Sequence, residues 1–227
     1  MLLIVRLYAT YELRKVWDFV ESEFGGYESG DVIPLFASHA ENKNHISILF
    51  ESKDADTIAE FLVSEVGKCD EVAYTRTITL MKPAFYPVPK DIPEGLQRFV
   101  VKLRVKPDKY HEIYDRILRT KKPPDLHFSY VAYSFGMYDI RISAIAKDWA
   151  TIRAFVKNNI SNLDGVRATA MLLICKSKRL TTYDTWRQQQ IKYSVARLTG
   201  ERIKNGFEYD WTFTDHCTVH GALPDEI

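Results

Sequence analysis

Asp148–Lys176 reads DWATIRAFVKNNISNLDGVRATAMLLICK, and an earlier stretch, Asp54–Lys82, reads DADTIAEFLVSEVGKCDEVAYTRTITLMK. The offset stays at 94 throughout (148 − 54 = 94), with no gap. Asp54/Asp148, Thr57/Thr151, Ile58/Ile152, Phe61/Phe155, Asp70/Asp164, Val72/Val166 and Lys82/Lys176 are identical in register, while Leu62/Val156, Ile78/Leu172 and Leu80/Ile174 match in kind. In each stretch, apolar residues at helical spacing (Ile58, Phe61, Leu62; Ile152, Phe155, Val156) lead through a polar turn into a strand-like run. Two copies are too few for a solenoid. They are enough for a duplicated domain.

Working outward, the first copy opens with a strand over Leu3–Ala9 and a helix over Tyr11–Phe24, whose inner face carries Leu13, Val16, Trp17 and Val20. Gly25-Gly26 ends that helix. Strands over Val32–Ala37 and His45–Phe50 flank the polar turn Glu41–Asn44, Asp54 caps a second helix, and Glu71–Met81 is a strand. The order β-α-β-β-α-β restarts at Phe99: a strand to Val105, a helix over Asp108–Arg119 led by Pro107, strands over His127–Tyr133 and Asp139–Ala146, a helix over Trp149–Ile160, and a strand over Val166–Cys175. Pro83, Pro87, Pro89 and Pro93 lie between the copies, in a segment expected to be an extended connector and not regular helix or central strand.

The expected architecture is therefore α+β. Two ferredoxin-like repeats, 1–82 and 97–180, are joined by a Pro-rich linker, 83–96, and followed by a C-terminal extension, 181–227. The extension reads as a helix that starts at Thr181-Thr182-Tyr183-Asp184, with Thr181 and Asp184 at capping-box spacing, followed by a strand over Phe207–Phe213. An antiparallel sheet with both helices on one face leaves the other face needing a cover. Two sheets packed face to face, within one chain or across a dimer, would supply it.

A net charge of +1 gives no global pull toward nucleic acid or membrane. No apolar run reaches the ~20 residues of a membrane span, and Met1–Arg6 is too short for a signal-peptide core. Three cysteines, odd in number and widely spaced, argue against a disulfide framework and for a cytoplasmic location. P-loop, dinucleotide-glycine and paired-carboxylate signatures are all absent.

Gly136-Met137-Tyr138-Asp139-Ile140, then Lys147-Asp148, Leu163-Asp164-Gly165-Val166, Thr169 and Cys175-Lys176-Ser177-Lys178, resemble the ligand-binding domain of the Lrp/AsnC (feast/famine) regulators. The resemblance covers Phe99–Leu180, and more weakly Leu3–Lys82. It implies a dimeric α+β barrel type of fold, homo-oligomeric assembly and a small amino-acid-like effector bound near the Gly-x-Tyr-Asp turn. Gly136 would let the backbone approach the ligand carboxylate, Asp139 would meet the α-amino group, and Tyr138 would form a wall. The bland reading is a tight hairpin turn with Tyr138 packed as core.

Two departures qualify the resemblance. The family's helix-turn-helix has no counterpart before Leu3, so specific DNA binding is not expected of this chain, and a DNA-binding regulator of the same family becomes a candidate partner. At the 94-residue offset, Gly136, Tyr138 and Asp139 become Asn42, Asn44 and His45, so the effector site is expected once per chain.

The one cluster of metal-type ligands is Asp215-His216-Cys217-Thr218-Val219-His220. As a helix, His216 and His220 share a face and could hold zinc. As a strand they lie roughly 13 Å apart, too far for one ion, and the β-branched neighbours favour the strand. No cofactor is implied by any motif. A small-molecule-binding regulatory protein is the leading reading; a small enzyme using the cavity between the two sheets is the alternative.

Trp186, Ile191, Val195 and Leu198 form an apolar stripe in the extension, each worth roughly 1.5–3 kcal/mol when fully buried. A chain stopped at Arg179 is expected to aggregate or change oligomer on a sizing column. A soluble truncation with unchanged elution would show the stripe to be non-structural.

Overall fold

A computed structural model describes residues 1–27, 30–88, 94–134 and 137–195. These fall into two compact units: unit 1 comprises Met1–Met81 with Ile174–Trp186, and unit 2 comprises Lys82–Leu173 with residues 187–195. Gly136, the strand expected over Phe207–Phe213, and His216 and His220 lie outside the described residues.

Unit 1 contains β1 (Leu2–Ala9), α1 (Leu13–Phe24), β2 (Val32–Ala40), β3 (His45–Ser52), α2 (Ala55–Ser64), a 3-10 turn at Val66–Lys68 and most of β4 (Val72–Phe85). Its sheet order is β4-β1-β3-β2, with every neighbour antiparallel. Period-two alternation sends Leu3, Val5, Leu7, Ile46, Ile48 and Phe50 to one face, where they bury against Val16, Trp17, Val20, Phe24, Ile58 and Phe61 of the two helices. The end of β8, Ile174–Arg179, adds a further antiparallel pairing along β2.

Unit 2 repeats the plan with β5 (Gln97–Val105), a 3-10 turn at Pro107–Lys109, α3 (Tyr110–Arg119), β6 (Leu126–Tyr133), β7 (Ile140–Ala146), α4 (Trp149–Val156), a π turn at Lys157–Ser161 and β8 (Val166–Arg179). The sheet order is β8-β5-β7-β6, the same permutation. Phe99, Val101, Leu103, Phe128, Val131, Ile140, Ile142 and Ala144 meet Ile113, Ile117, Ile152, Phe155 and Val156 in its core.

The duplication extends to fine detail. A register shift falls between Pro34 and Phe36 in the β2–β3 pairing and between Phe128 and Tyr130 in β6–β7, the same positions at the 94-residue offset. Asp54 and Asp148 cap their helices identically. Asp54 Oδ1 accepts from Thr57 N (2.8 Å) and Thr57 Oγ1 (2.6 Å); Asp148 Oδ1 accepts from Thr151 N (2.7 Å) and Thr151 Oγ1 (2.8 Å). These bonds hold both carboxyls below the usual carboxylate range. This is a duplicated ferredoxin-like α+β fold.

Several boundaries depart from the sequence reading. β4 runs through Pro83 to Phe85, where an extended connector was expected. Lys82 takes φ 45° and turns the backbone just before the proline, so the missing N–H does not interrupt a straight ladder. The second helix of unit 2 stops being α-helical at Val156 and finishes as the π turn. The extension's helix is α5 (Tyr183–Lys192), and Thr182 caps it in place of Thr181, its Oγ1 accepting from Thr185 N at 3.3 Å. Trp186 is buried with its ring stacked on Phe36 (6.1 Å between centroids), and Val195 belongs to the unit 2 core.

Because the caps are duplicated, Asp54→Ala and Asp148→Ala are each expected to lower the unfolding free energy, and by similar amounts. Denaturant titration of the two variants checks this. A loss at only one of the positions would contradict the shared capping role.

Candidate functional site

The expected effector turn joins β6 to β7, and the structure assigns Asp139 there to internal bonding. Its Oδ2 accepts from the Val105 N–H at 2.8 Å, and its Oδ1 accepts from the Tyr110 hydroxyl at 2.8 Å. The carboxylate thereby ties the turn to the end of β5 and the start of α3. Burial, followed by the bond to Asp139, raises the Tyr110 phenol above its ordinary value. Tyr138 is half-buried, with Lys102 Nζ 5.4 Å and Arg104 Cζ 5.5 Å from its ring centroid. Arg104 Nε donates to the Met137 carbonyl at 2.9 Å. The turn is thus braced by cations and by its own aspartate. In the first copy the residue equivalent to Gly136 is Asn42, at φ 56°, a left-handed position that asparagine tolerates better than most residues.

A second cluster lies on the helix-free face of the unit 2 sheet, and strand register is enough to lay it out. Arg98 stands opposite Ile145, which stands opposite His127. The next row on that face is Val100, Ser143, Tyr130, and the third is Lys102, Arg141, Ala132. Arg141 is only 6% exposed, and its Nε donates to the Tyr130 hydroxyl at 2.9 Å. Arg98 Nη1 donates to Ser129 Oγ at 3.3 Å. Ser129 owes its place to the register shift, which passes the strand's alternation across one extra residue.

Desolvation dominates the electrostatics of this face. Burial pulls the Arg98 guanidinium down to about 10, with Tyr130 opposing, so it remains a cation at neutral pH. Burial also lowers His127, against a bond to the Pro124 carbonyl that favours the charged ring. His127 is therefore a neutral imidazole at pH 7. The first copy's helix-free face carries a different set, with Arg6 opposite Ser47 and Glu51, itself buried, opposite Leu2. At the 94-residue offset Arg141 becomes Ser47 and Tyr130 becomes Phe36.

Neither Arg98 nor Arg141 stood out in the sequence as a site residue. The signal was there: Arg141 interrupts the run Ile140–Ala146, a strand otherwise built of Ile, Ala and Ser. A charge inside a strand that apolar on both faces needs a partner. No group of three or more His, Cys, Asp or Glu suited to a metal occurs among the described residues. Nor is any described helix long and apolar enough to cross a membrane.

Fold and sheet faces together define a ferredoxin-like α+β protein of the dimeric α+β barrel type. No family model matches the sequence, and no curated protein does. Solved structures do share the fold. A Lactobacillus acidophilus NCFM protein assigned as a monooxygenase aligns with a TM-score of 0.51 at 10% identity, over 79% of this chain and 96% of that one. The siroheme decarboxylase NirDL, in co-complex with an iron-uroporphyrin III analogue, also reaches 0.51 at 10% identity, over 85% of this chain and 79% of its own. E. coli AsnC aligns with a TM-score of 0.31 and 13% identity, over 54% of this chain and 73% of its own.

Two outcomes are expected. Asp139→Ala removes bonds from Val105 and Tyr110 and should cost about 1.5–3 kcal/mol of stability; a denaturation midpoint unchanged from wild type would contradict the bracing role. His127 has its folded pKa below its unfolded value. As pH falls below about 6.5 the unfolded chain therefore takes up the proton first, and stability declines. In melting curves from pH 7.5 to 5.5, His127→Asn should flatten that decline, and an identical pH profile for the variant would refute it.

Proposed function

We propose that this protein binds a small carboxylate-bearing molecule on the helix-free face of unit 2, with Arg141 as the anchor. One observation carries the reading. Arg141 is withdrawn from solvent, hydrogen-bonds a neutral phenol, and forms no ion pair among the described residues. Taking a guanidinium out of water costs several kcal/mol unless an anion meets it. A carboxylate is the natural mate for its planar donors. An amino-acid-like effector, as the Gly-x-Tyr-Asp resemblance implies, satisfies this with its carboxylate at Arg141. Asp139 is then the brace of the turn and not the acceptor of the amino group. Homo-oligomeric assembly and a sensing role belong to the same proposal.

A second reading, an enzyme acting on the bound anion, is favoured by His127. A neutral imidazole in the same cross-strand row as Arg98 is a ready proton acceptor. The monooxygenase assignment and the decarboxylase among the fold neighbours are in keeping with it, at the level of fold alone.

A thermal-shift screen of amino acids, dicarboxylates and carboxylated tetrapyrroles, followed by calorimetry on the hits, tests both readings. Arg141→Met should weaken binding at least about tenfold, a loss of about 1.4 kcal/mol or more, with Arg141→Lys intermediate. Undiminished affinity in a folded Arg141→Met variant would overturn the proposal. For the enzymatic reading, His127→Asn should abolish turnover of the bound ligand while leaving its affinity intact; a ligand recovered unchanged from wild type would rule that reading out.

A further inference from the structure

Unit 1 holds a thiol and an imidazole in contact, far apart in sequence and outside the face described above. Cys175 is exposed, and its Sγ lies 3.4 Å from His39 Nδ1. The other ring nitrogen, Nε2, is 2.8 Å from the Lys43 carbonyl oxygen. A carbonyl only accepts, so Nε2 must carry the ring proton when the imidazole is neutral. That leaves Nδ1 with its lone pair toward the thiol. Nucleophile, base and a third group fixing the base's tautomer thus stand in sequence.

The strand pairing explains how the thiol is aimed. Between β2 and β8, Lys176 pairs with His39 and Ile174 pairs with Ala40, so Cys175 is the extra residue of a bulge. Bulges redirect one side chain out of the alternating pattern. The His39 carbonyl, also 3.4 Å from Sγ, is a competing acceptor for the thiol proton but cannot hold it. Lys176 places its Nζ 4.2 Å from the Trp17 ring centroid, and Lys178 pairs with Glu21 at 3.2 Å. Lys43 and Glu41 are exposed on the β2–β3 turn that bears the His39 partner carbonyl. Exposure together with an imidazole in contact is the setting in which a thiol can act as a nucleophile. The Cys69 thiol, by contrast, is half-buried and raised by burial, with no imidazole bonded to it among the described residues, which makes it an internal control.

We propose that Cys175 is a covalent modification site that forms a mixed disulfide with a low-molecular-weight disulfide, with His39 as its base. His39 Nδ1 takes the thiol proton, and the Cys175 sulfur attacks one sulfur of the disulfide R–S–S–R. The new Cys175–S–S–R bond forms as the old S–S bond breaks, expelling RS⁻, which recovers the proton from the imidazolium. The Cys175 sulfur rises from oxidation state −2 to −1 as the expelled sulfur falls from −1 to −2, so no further oxidant is required.

The test uses the full chain with Cys69→Ser and Cys217→Ser, leaving Cys175 as the sole thiol, and the aromatic disulfide DTNB as the probe. At pH 7 the rate should exceed that of the same protein carrying His39→Gln by at least about tenfold. A second measurement does not depend on the variants folding: iodoacetamide labelling of wild type with peptide mapping should modify Cys175 before Cys69. Equal rates with and without His39, or Cys69 labelled first, would overturn the proposal.

Discussion

Strand register is the constraint on which the rest of unit 2 depends. Along β5, Phe99, Val101 and Leu103 enter the core under the helices while Arg98, Val100 and Lys102 take the opposite face. A slip of one residue would drive two cations into the apolar core and expose the core residues. The register is pinned by the shift between Phe128 and Tyr130, which moves β6 from burying even-numbered residues (Leu126, Phe128) to burying odd-numbered ones (Val131, Tyr133). That single irregularity delivers Tyr130 opposite Ser143, on the face where it meets Arg141. Structure and candidate chemistry are thus set by the same backbone feature.

The two copies keep the architecture and divide the chemistry. Caps, register shifts and sheet order are held in common, since each serves folding and is needed in both units. The ionisable groups are not shared. Where unit 2 has Arg141 and Tyr130, unit 1 has Ser47 and Phe36, and its own distinctive pair is His39 with Cys175. A duplicated fold of this kind frees one copy's face to specialise while the other retains the packing role.

Much of the fold was legible in the sequence because it rests on local signals. Asp-x-x-Thr caps, apolar residues at helical spacing and alternating strands each act over a few residues, and the ungapped repeat doubled every one of them. Pro83 misled because a proline normally ends a strand, and the left-handed turn at Lys82 that accommodates it has no local signature. Thr181 and Thr182 are adjacent candidates for one cap, and only helix geometry separates them. The candidate site was less legible. Asp139 stood out by resemblance, but its partners Val105 and Tyr110 lie about thirty residues away, so its bracing role emerges only in three dimensions. Arg141 and Arg98 looked like ordinary strand charges until register put them on one withdrawn face. His39 and Cys175 come together only through the β2–β8 pairing, which no sequence pattern announces.

The most direct test of the anion-binding face is NMR of the arginine Nε–Hε groups in protein labelled with 15N-arginine, the Arg141 signal being assigned by its loss in Arg141→Lys. This proton, bonded to Tyr130, is expected to exchange slowly with water in the free protein, and its resonance to shift when a carboxylate ligand is titrated in. Rapid exchange like that of the exposed arginines, or a resonance unmoved by every carboxylate that stabilises the protein, would contradict it.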